Sequence, residues 1–170
     1  TQNPYEMEGT FPLIDAQRDR FMFSSILDHL DSESELEVLR RERAGELDWN
    51  LFHDRINPLL GPADVKDMTI TAREVLIDEK VLMYARDIVL ATRAHSDIER
   101  GASSRASISF IRGSRARAAI EGRSYVIPDD VRALALPALR HRILLSRESA
   151  ITGVTPDTII TEILESVEVS

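Results

Sequence analysis

Arginine is the residue type with which this sequence could do chemistry. Of its 21 basic residues 19 are arginine, the exceptions being Lys66 and Lys80. Residues 93–147 hold eleven arginines and five acidic residues, a local balance of 11 − 5 = +6, whereas the whole chain carries −8. A guanidinium group is planar and permanently charged, and it can bind a carboxylate or a phosphate through two parallel hydrogen bonds. We expect most of these arginines to be solvated and a few to bind an anion.

Several other kinds of functional site are not supported, because the sequence lacks the residues that they need. The absence of cysteine excludes disulfide scaffolds, zinc ribbons, iron–sulfur sites and thiol nucleophiles. The four histidines are scattered without an i, i+4 pair, so no metal site is predicted. The sequence contains neither a G-x-S-x-G elbow nor a G-x-x-x-x-G-K-[ST] phosphate loop. Residues 75–79 look like a Walker B strand, but without that loop we interpret Asp78 as a helix N-cap.

The composition indicates an acidic globular chain. Its 170 residues suffice for one domain, or for one domain and part of another. The net charge of −8 argues against general nucleic-acid binding, which needs positive charge. No apolar run approaches the roughly 20 residues of a membrane helix, and no signal segment opens the chain. We therefore expect a soluble, cytoplasmic protein. The opening TQNP is typical of a strand exit, so we interpret the chain as a piece excised from a longer protein.

Most of the predicted secondary-structure elements that carry the arginines are helices. Apolar periodicity, capping residues and stop signals predict a mainly α fold, a helical bundle preceded by the end of an α/β unit. The aromatic segment FMFSSIL at residues 21–27 predicts a strand. The first predicted helices are residues 12–20, a helix capped by Ser32 and ended by Gly45, and residues 62–73. They are followed by a helix capped by Asp78, a long helix that Gly101 and Ser103 precede and that runs to Glu121, residues 129–135 with a further turn from Pro137, and a last helix capped by Thr155.

Five segments carry a specific resemblance to a known family. TQNPYEMEGTFPL (residues 1–13) resembles the sensor 1 region of the MoxR family of AAA+ ATPases, and DAQRDRF (15–21) resembles its arginine-finger helix. GASSRA (101–106) resembles its sensor 2 motif. YVIPDDV (125–131) and LRHRI (139–143) are similar to its C-terminal lid. Their order and spacing also agree, so the resemblance covers almost the whole chain.

This resemblance implies a fold and three site residues. Residues 1–28 would be the last strand–helix–strand piece of the α/β P-loop core, and residues 29–170 would be the helical lid. Asn3 would be the sensor 1 amide, which holds a phosphate oxygen and the attacking water. Arg20 would be the arginine finger, which points into the ATP site of the adjacent subunit. Arg105 would be the sensor 2 arginine in the first turn of its helix, where an anion is favoured.

The resemblance also implies an activity. The parent protein would be a ring-forming, hexameric ATPase that uses ATP and Mg²⁺ and acts as a chaperone-like remodelling or metal-insertion factor. Its partners would be von Willebrand A-domain proteins, with no nucleic acid and no membrane insertion. Walker A and Walker B are absent from these residues, so we expect the magnesium ligands to lie outside them. We therefore expect the 170-residue chain alone to be inactive.

The site residues each have a second interpretation. Asn3 could instead form a loop Asx-turn. Arg20 could pair at the surface with Asp19 or Asp15, a contact worth under about 1 kcal/mol. Arg18 replaces a usual aliphatic residue and competes with Arg20 for the finger role. These alternatives remain open on sequence grounds.

The basic half of the chain leaves further alternatives. Arg112 shares a helical face with Arg105, and we interpret it as structural or interfacial. Whether Arg105 would act in its own subunit or the next remains open, and Ser104 stands where the family usually has proline. Two other functions compete with the ATPase: a helix-turn-helix DNA-binding module using the short helix at 129–135, and a protein-interaction bundle without ATPase activity.

Overall fold

The computed structural model of the chain describes residues 13–48 and 57–169. Within this part the mainly α fold is confirmed, with two short strands. One compact unit holds residues 13–24 and 70–169, and the other holds 25–48 and 57–69. In chain order the elements are α1 (Asp15–Arg18), α2 (Ser32–Arg43), α3 (Pro62–Glu74), α4 (Glu79–Ala94), β1 (Ile98–Arg100), α5 (Ser104–Ile120), α6 (Pro128–Leu139), β2 (Leu144–Leu145), α7 (Arg147–Ile151) and α8 (Pro156–Ser166).

Side-chain caps mark the beginnings of five of the described helices, α2, α4, α5, α7 and α8. Asp78 accepts a hydrogen bond at 2.9 Å from a backbone amide in the first turn of α4, and Thr155 caps α8 in the same way, as predicted. The cap predicted at Ser32 is wrong by one residue, because Asp31 accepts the amide hydrogen bond of Ser34 at 2.8 Å. Each cap satisfies an amide that has no partner inside the helix.

The core of the larger unit is formed by α4, α5, α6 and α8. Four alanines on α5 and α6 are fully buried and let these helices approach closely: Ala106, Ala118, Ala135 and Ala138. Apolar burial of this kind supplies most of the driving force for folding. The large side chains that fill the core are Tyr84, Ile88, Phe110, Leu139, Ile159, Ile160 and Ile163.

Gly113 brings the segment after α1 onto α5. A Cβ atom added at this position would lie 2.7 Å from Leu134 Cδ1 and 2.7 Å from Phe23 Cζ. Such distances are shorter than van der Waals contact, so a larger residue here would have to displace the ends of the Leu134 and Phe23 side chains. The Phe23 ring therefore packs against α5 at Gly113.

The strand predicted at residues 21–27 is wrong. These residues form no strand, although their aromatic and apolar side chains favour one. Their backbone groups bond to a helix and its C-terminal turn instead: the amide of Ser24 donates to the carbonyl oxygen of Pro137 at 2.8 Å. The carbonyl oxygens of Phe21 and Met22 accept hydrogen bonds from side chains. A strand needs a neighbouring strand for these groups, and none of the described residues supplies one.

Two other details differ from the sequence predictions. The helix expected at 129–135 and the turn after Pro137 are one continuous helix, α6. Pro137 lies in the last turn, where its missing amide removes only one helical hydrogen bond. The antiparallel pair of β1 and β2 was not predicted, because two strands of three and two residues carry too little periodicity.

The smaller unit contains α2 and the first part of α3. Acidic residues lie in the first turn of α2 and basic residues in its last turn, which suits the helix dipole. Arg41 donates a hydrogen bond to Glu37 at 3.0 Å on its exposed face. None of the side chains of α2 is buried.

Over the part of the chain that the structure describes, none of the helices combines the length and the apolar character needed to cross a membrane. The expected cytoplasmic location stays a prediction.

Candidate functional site

Arg105 lies in the first turn of α5, where the helix begins with free backbone amides. Ser103 caps this helix, because its hydroxyl oxygen accepts a hydrogen bond from the amide of Arg105 at 3.2 Å. The carbonyl oxygen of Arg105 accepts a hydrogen bond from the Ser109 hydroxyl group at 2.9 Å. The backbone of Arg105 is therefore held at both ends while its side chain is exposed.

Arg20 lies in the turn that directly follows α1. Its amide donates to the carbonyl oxygen of Gln17 at 3.1 Å, which holds the turn closed. Its side chain is exposed. The alternative surface ion pair is absent among the described residues, because Asp15 pairs with Arg18 and Arg100 while Asp19 pairs with Arg142.

A cleft of about 390 Å³ brings Arg20 and Arg105 together. Four guanidinium groups and one carboxylate line it, so its charge is strongly positive. Among residues 13–48 and 57–169, no acidic side chain forms an ion pair with Arg20, Arg105 or Arg112. The lining residues are Asp19, Arg20, Met22, Arg105, Ile108, Ser109, Arg112 and Arg142.

Arg18 is placed differently from Arg20. It lines a neighbouring cleft of about 200 Å³ and pairs with Asp15, which also accepts a hydrogen bond from Arg100. These hydrogen bonds lower the pKa of Asp15, Arg18 being the larger influence and Arg100 the smaller. Arg18 is thus engaged in an ion pair within its own helix, whereas the guanidinium group of Arg20 faces the larger cleft.

Arg142 is the buried member of the cleft, with 2% of its side chain exposed. Its guanidinium group donates to the carbonyl oxygens of Phe21 at 2.6 Å and Met22 at 3.1 Å, and also to that of Ala138. It donates to the Ser109 hydroxyl group at 3.1 Å as well. Burial lowers the pKa of Arg142, and the hydrogen bond to Asp19 offsets part of this effect. Arg142 therefore fastens the segment that carries Arg20 onto α5 and the end of α6.

Asp19 is the negative charge that compensates this buried cation. Its Oδ1 atom accepts a hydrogen bond from Nε of Arg142 at 3.1 Å. Both of its carboxylate oxygens also lie 2.9 Å from the hydroxyl group of Ser103. One carboxylate thus joins the residue before Arg20 to the residue that caps α5, which carries Arg105.

His141 supports the same segment from the second cleft. Its Nε2 atom lies 3.0 Å from the carbonyl oxygen of Phe21, and a carbonyl oxygen can only accept, so Nε2 carries the proton. Its Nδ1 atom is buried without a hydrogen-bond partner. Burial lowers the pKa of His141 below its ordinary value of 6.5, and the hydrogen bond to Phe21 offsets part of this shift. The ring is therefore neutral near pH 7.

The sequence prediction missed Arg142 and Asp19 as parts of the site. Both lie in segments that carry the family resemblance, LRHRI and DAQRDRF, but nothing in either segment marks the two as partners. They are 123 positions apart, so only the fold brings them together. Arg112, interpreted from the sequence as structural or interfacial, lines the cleft. Asn3 lies outside the described residues.

The cleft has the chemistry of an anion site. Arg20, Arg105 and Arg112 present hydrogen-bond donors in planar forks that match phosphate or carboxylate oxygens. In the described part of the chain, no group of three or more His, Cys, Asp or Glu residues could hold a metal ion.

Comparisons with known proteins cover both the lid and the whole chain. A family described as the AAA lid domain matches residues 90–163. A crystal structure of a candidate ATPase from Cytophaga hutchinsonii matches with a TM-score of 0.89 and 37% identity, covering 99% of this chain and 52% of that one.

Three curated relatives agree with these matches. YeaC of Bacillus subtilis, described as uncharacterized, is 34% identical over 170 residues, which cover 99% of this chain and 51% of YeaC. Chaperone MoxR1 of Mycobacterium tuberculosis is 31% identical over 176 residues, with coverages of 98% and 45%. The magnesium-chelatase 38 kDa subunit of Acidiphilium rubrum is 32% identical over 114 residues, with coverages of 66% and 31%. The chain spans about half the length of the first two relatives.

Proposed function

This chain belongs to the MoxR-type AAA+ ATPases and contains their helical lid, and we propose that it brings Arg20 and Arg105 to the γ-phosphate of ATP at a subunit interface. The family predicted from the sequence motifs is thereby confirmed. The observation that carries the proposal is the shared cleft, in which both guanidinium groups lack an ion-pair partner among the described residues. An arginine without a carboxylate partner is ready to bind an external anion without first breaking an ion pair.

Hydrolysis of ATP requires positive charge more than covalent chemistry. As the terminal phosphate is transferred to water, negative charge spreads over its three oxygens and over the leaving oxygen. The two arginines would donate hydrogen bonds to these oxygens, and the donors gain strength as the charge develops. An arginine finger contributes on the order of 10³–10⁵ in rate. ATP, when bound, supplies the phosphoanhydride bond that is broken.

The two arginines would act on the same phosphate. The resemblance assigns Arg20 to the ATP site of the adjacent subunit, and Arg105 lines the same cleft as Arg20, which supports contact of both residues with one anion. We therefore propose that Arg105 also acts on the nucleotide of the neighbouring subunit. Asp19 and Arg142 would hold Arg20 and Arg105 at a fixed separation. Asp19 directly precedes Arg20 and bonds to Ser103, the cap of α5. Arg142 bonds to Asp19 and to Ser109 on α5.

We propose that the remaining parts of the activity depend on residues outside the described ones. We propose that Asn3 orients the attacking water, and that the phosphate loop and the magnesium ligands lie in other segments of a complete ring. MoxR1 is described as a chaperone and another relative as a magnesium-chelatase subunit. We accordingly propose that the complete protein is a hexameric, cytoplasmic ATPase that acts as a chaperone-like remodelling or metal-insertion factor. Its proposed partners are von Willebrand A-domain proteins. We also propose that the α/β core ends at residue 28 and that the helical lid begins at residue 29.

The rate of ATP hydrolysis by the complete ATPase tests this function. Arg20→Ala and Arg105→Ala should each slow hydrolysis strongly, whereas Arg147→Ala should not. Arg147 is an exposed arginine at the start of α7 and does not line the cleft. Unchanged hydrolysis in both cleft variants, with the Arg147 control also unchanged, would reject the proposal.

A further inference from the structure

We infer that Arg112 is a third phosphate-binding residue of this cleft and that it contacts a different phosphate group of the polyphosphate from Arg20 and Arg105. This inference rests on the proposed function, and it replaces the structural or interfacial interpretation of Arg112. Its basis is the position of Arg112 on α5, its lack of a partner and the charge around it.

The position of Arg112 follows from helix geometry. It lies seven residues after Arg105, which corresponds to about 10.5 Å along the axis and returns it to nearly the same face. Ile108 and Ser109 lie between the two and also line the cleft. Two long arginine side chains separated in this way can lean toward each other over one ligand, but they reach different atoms of it. If the two guanidinium groups stay as far apart as their backbone positions, a polyphosphate can contact both, whereas a single phosphate contacts only one.

Arg112 differs from three basic residues of this unit because it forms no ion pair with a described residue. It differs from three others, which also form no ion pair with the described residues, because it lines the cleft: Arg115, Arg132 and Arg147. On the same helix, Arg117 pairs with Glu121 at 3.0 Å. Arg123 and Arg140 bind carboxylates at 2.7 and 2.8 Å. Arg112 is exposed in the cleft and has no ion pair with any of the described acidic residues. Its charge is thus left for a ligand.

The charge around Arg112 also indicates an anion. Asp19 is the one acidic residue among those lining the cleft, and it already accepts hydrogen bonds from Ser103 and Arg142. A ligand that carries several negative charges would best balance the three arginines of the cleft that form no ion pair with a described residue. A linear triphosphate does so with consecutive phosphate groups along one chain, whereas orthophosphate offers a single group. Arg112 would accordingly make the cleft selective for the longer anion.

Titration of the 170-residue chain with sodium tripolyphosphate and with orthophosphate, each followed by calorimetry at low ionic strength, tests this inference. Arg112→Ala should weaken tripolyphosphate binding about three- to tenfold, which is the range expected for losing one charge-assisted contact in an open cleft. It should weaken orthophosphate binding less, because orthophosphate loses only the long-range attraction of the removed charge and no direct contact. Arg20→Ala and Arg105→Ala should each weaken binding of both anions, and Arg147→Ala should weaken neither. Circular dichroism spectra should coincide for all the variants, because the four altered side chains are all exposed.

The possible outcomes separate the two proposals. If Arg105→Ala weakens tripolyphosphate binding and Arg112→Ala does not, the inference on Arg112 is wrong while the proposed function survives. If Arg112→Ala weakens binding of both anions equally, Arg112 does not contact a separate phosphate group. If neither Arg20→Ala nor Arg105→Ala weakens tripolyphosphate binding, or the unaltered chain binds neither anion, the proposed phosphate site fails and the inference with it. Arg112→Lys, which keeps the charge but not the fork, should bind tripolyphosphate with intermediate affinity.

Discussion

The hydroxyl group of Ser103 lies 2.9 Å from both carboxylate oxygens of Asp19 and joins residues that are 84 positions apart. Ser103 caps the helix that carries Arg105, and Asp19 directly precedes Arg20. The two arginines are therefore held in one cleft by a contact between their neighbours. This relationship allows each part of the site to be tested by itself.

Replacing Asp19 should destabilise the fold by removing the counter-ion of Arg142. We expect Asp19→Asn to lower the free energy of unfolding by about 1–3 kcal/mol, because a buried charge is left without compensation. The effect is below that of a fully buried pair, since 25% of the Asp19 side chain is exposed. Urea unfolding measures it. Asp87→Asn, which breaks a surface ion pair with Arg86, is the control and should cost under about 1 kcal/mol.

Replacing Arg142 should cost more than replacing its partner. Lysine keeps the positive charge but cannot donate to Asp19, Phe21, Met22 and Ser109 together, so we expect Arg142→Lys to lower the free energy of unfolding by about 3 kcal/mol. Thermal or urea unfolding measures this loss. Arg147→Lys should have almost no effect. Equal free energies of unfolding for Arg142→Lys and Arg147→Lys would mean that Arg142 does not hold the segment after α1.

Lowering the pH from about 7 to about 5 should destabilise the chain through His141. The pKa of His141 is lowered in the folded state, so in this range the unfolded chain binds more protons than the folded chain. Stability contributed by the neutral ring is complete above the unfolded value of 6.5 and is lost as the pH falls through it toward the folded value. His141→Gln should flatten this dependence.

The carboxyl groups act in a different pH range, which makes the His141 effect separable. Burial raises the pKa of Asp130, but hydrogen bonds from Arg123 and the amide of Ile127, together with the charges of Arg123 and Arg117, hold it below its ordinary value of 3.8. Its stabilising contribution is therefore present above 3.8 and is lost at still lower pH. Urea unfolding at several pH values for the unaltered chain and His141→Gln checks the prediction, and two identical slopes between pH 7 and 5 would contradict it.

Mixed rings of the complete ATPase should show that Arg20 acts across the subunit interface. Arg20→Ala should reduce ATP hydrolysis by on the order of 10³-fold or more with nucleotide binding nearly intact. Mixing it with a Walker B variant that retains Arg20 should partly restore hydrolysis, because the second protein offers its arginine to the first. No restoration would indicate that Arg20 is structural.

A second mixture should decide where Arg105 acts. If both arginines reach the neighbouring subunit, a mixture of Arg20→Ala and Arg105→Ala subunits has no interface with both side chains, and hydrolysis stays low. If Arg105 acts in its own subunit, an Arg105→Ala subunit beside an Arg20→Ala subunit completes one site and restores hydrolysis. We expect no restoration, because Arg20 and Arg105 line one cleft of one chain.

Much of the helical framework could be predicted from local sequence. Asp78 and Thr155 act as N-caps as expected, and Gly122 has the positive φ of 72° that ends α5. These features follow from hydrogen bonds and backbone angles within a few residues. The strand predicted at residues 21–27 failed for the opposite reason, since its backbone groups bond to Arg142 and Pro137, far along the chain.

The sequence by itself determined the helices, the family and the candidate arginines Arg20 and Arg105, because caps, periodicity and short motifs are local signals. Only the tertiary structure decided which arginines are free. A guanidinium group is neutralised by whichever carboxylate the fold places beside it, and for Arg142 that is Asp19, 123 positions away. The same folding leaves Arg20, Arg105 and Arg112 in one cleft without such a partner among the described residues. The tertiary structure therefore creates the proposed anion site, because it pairs some arginines with distant carboxylates and leaves others in one cleft unpaired among the described residues.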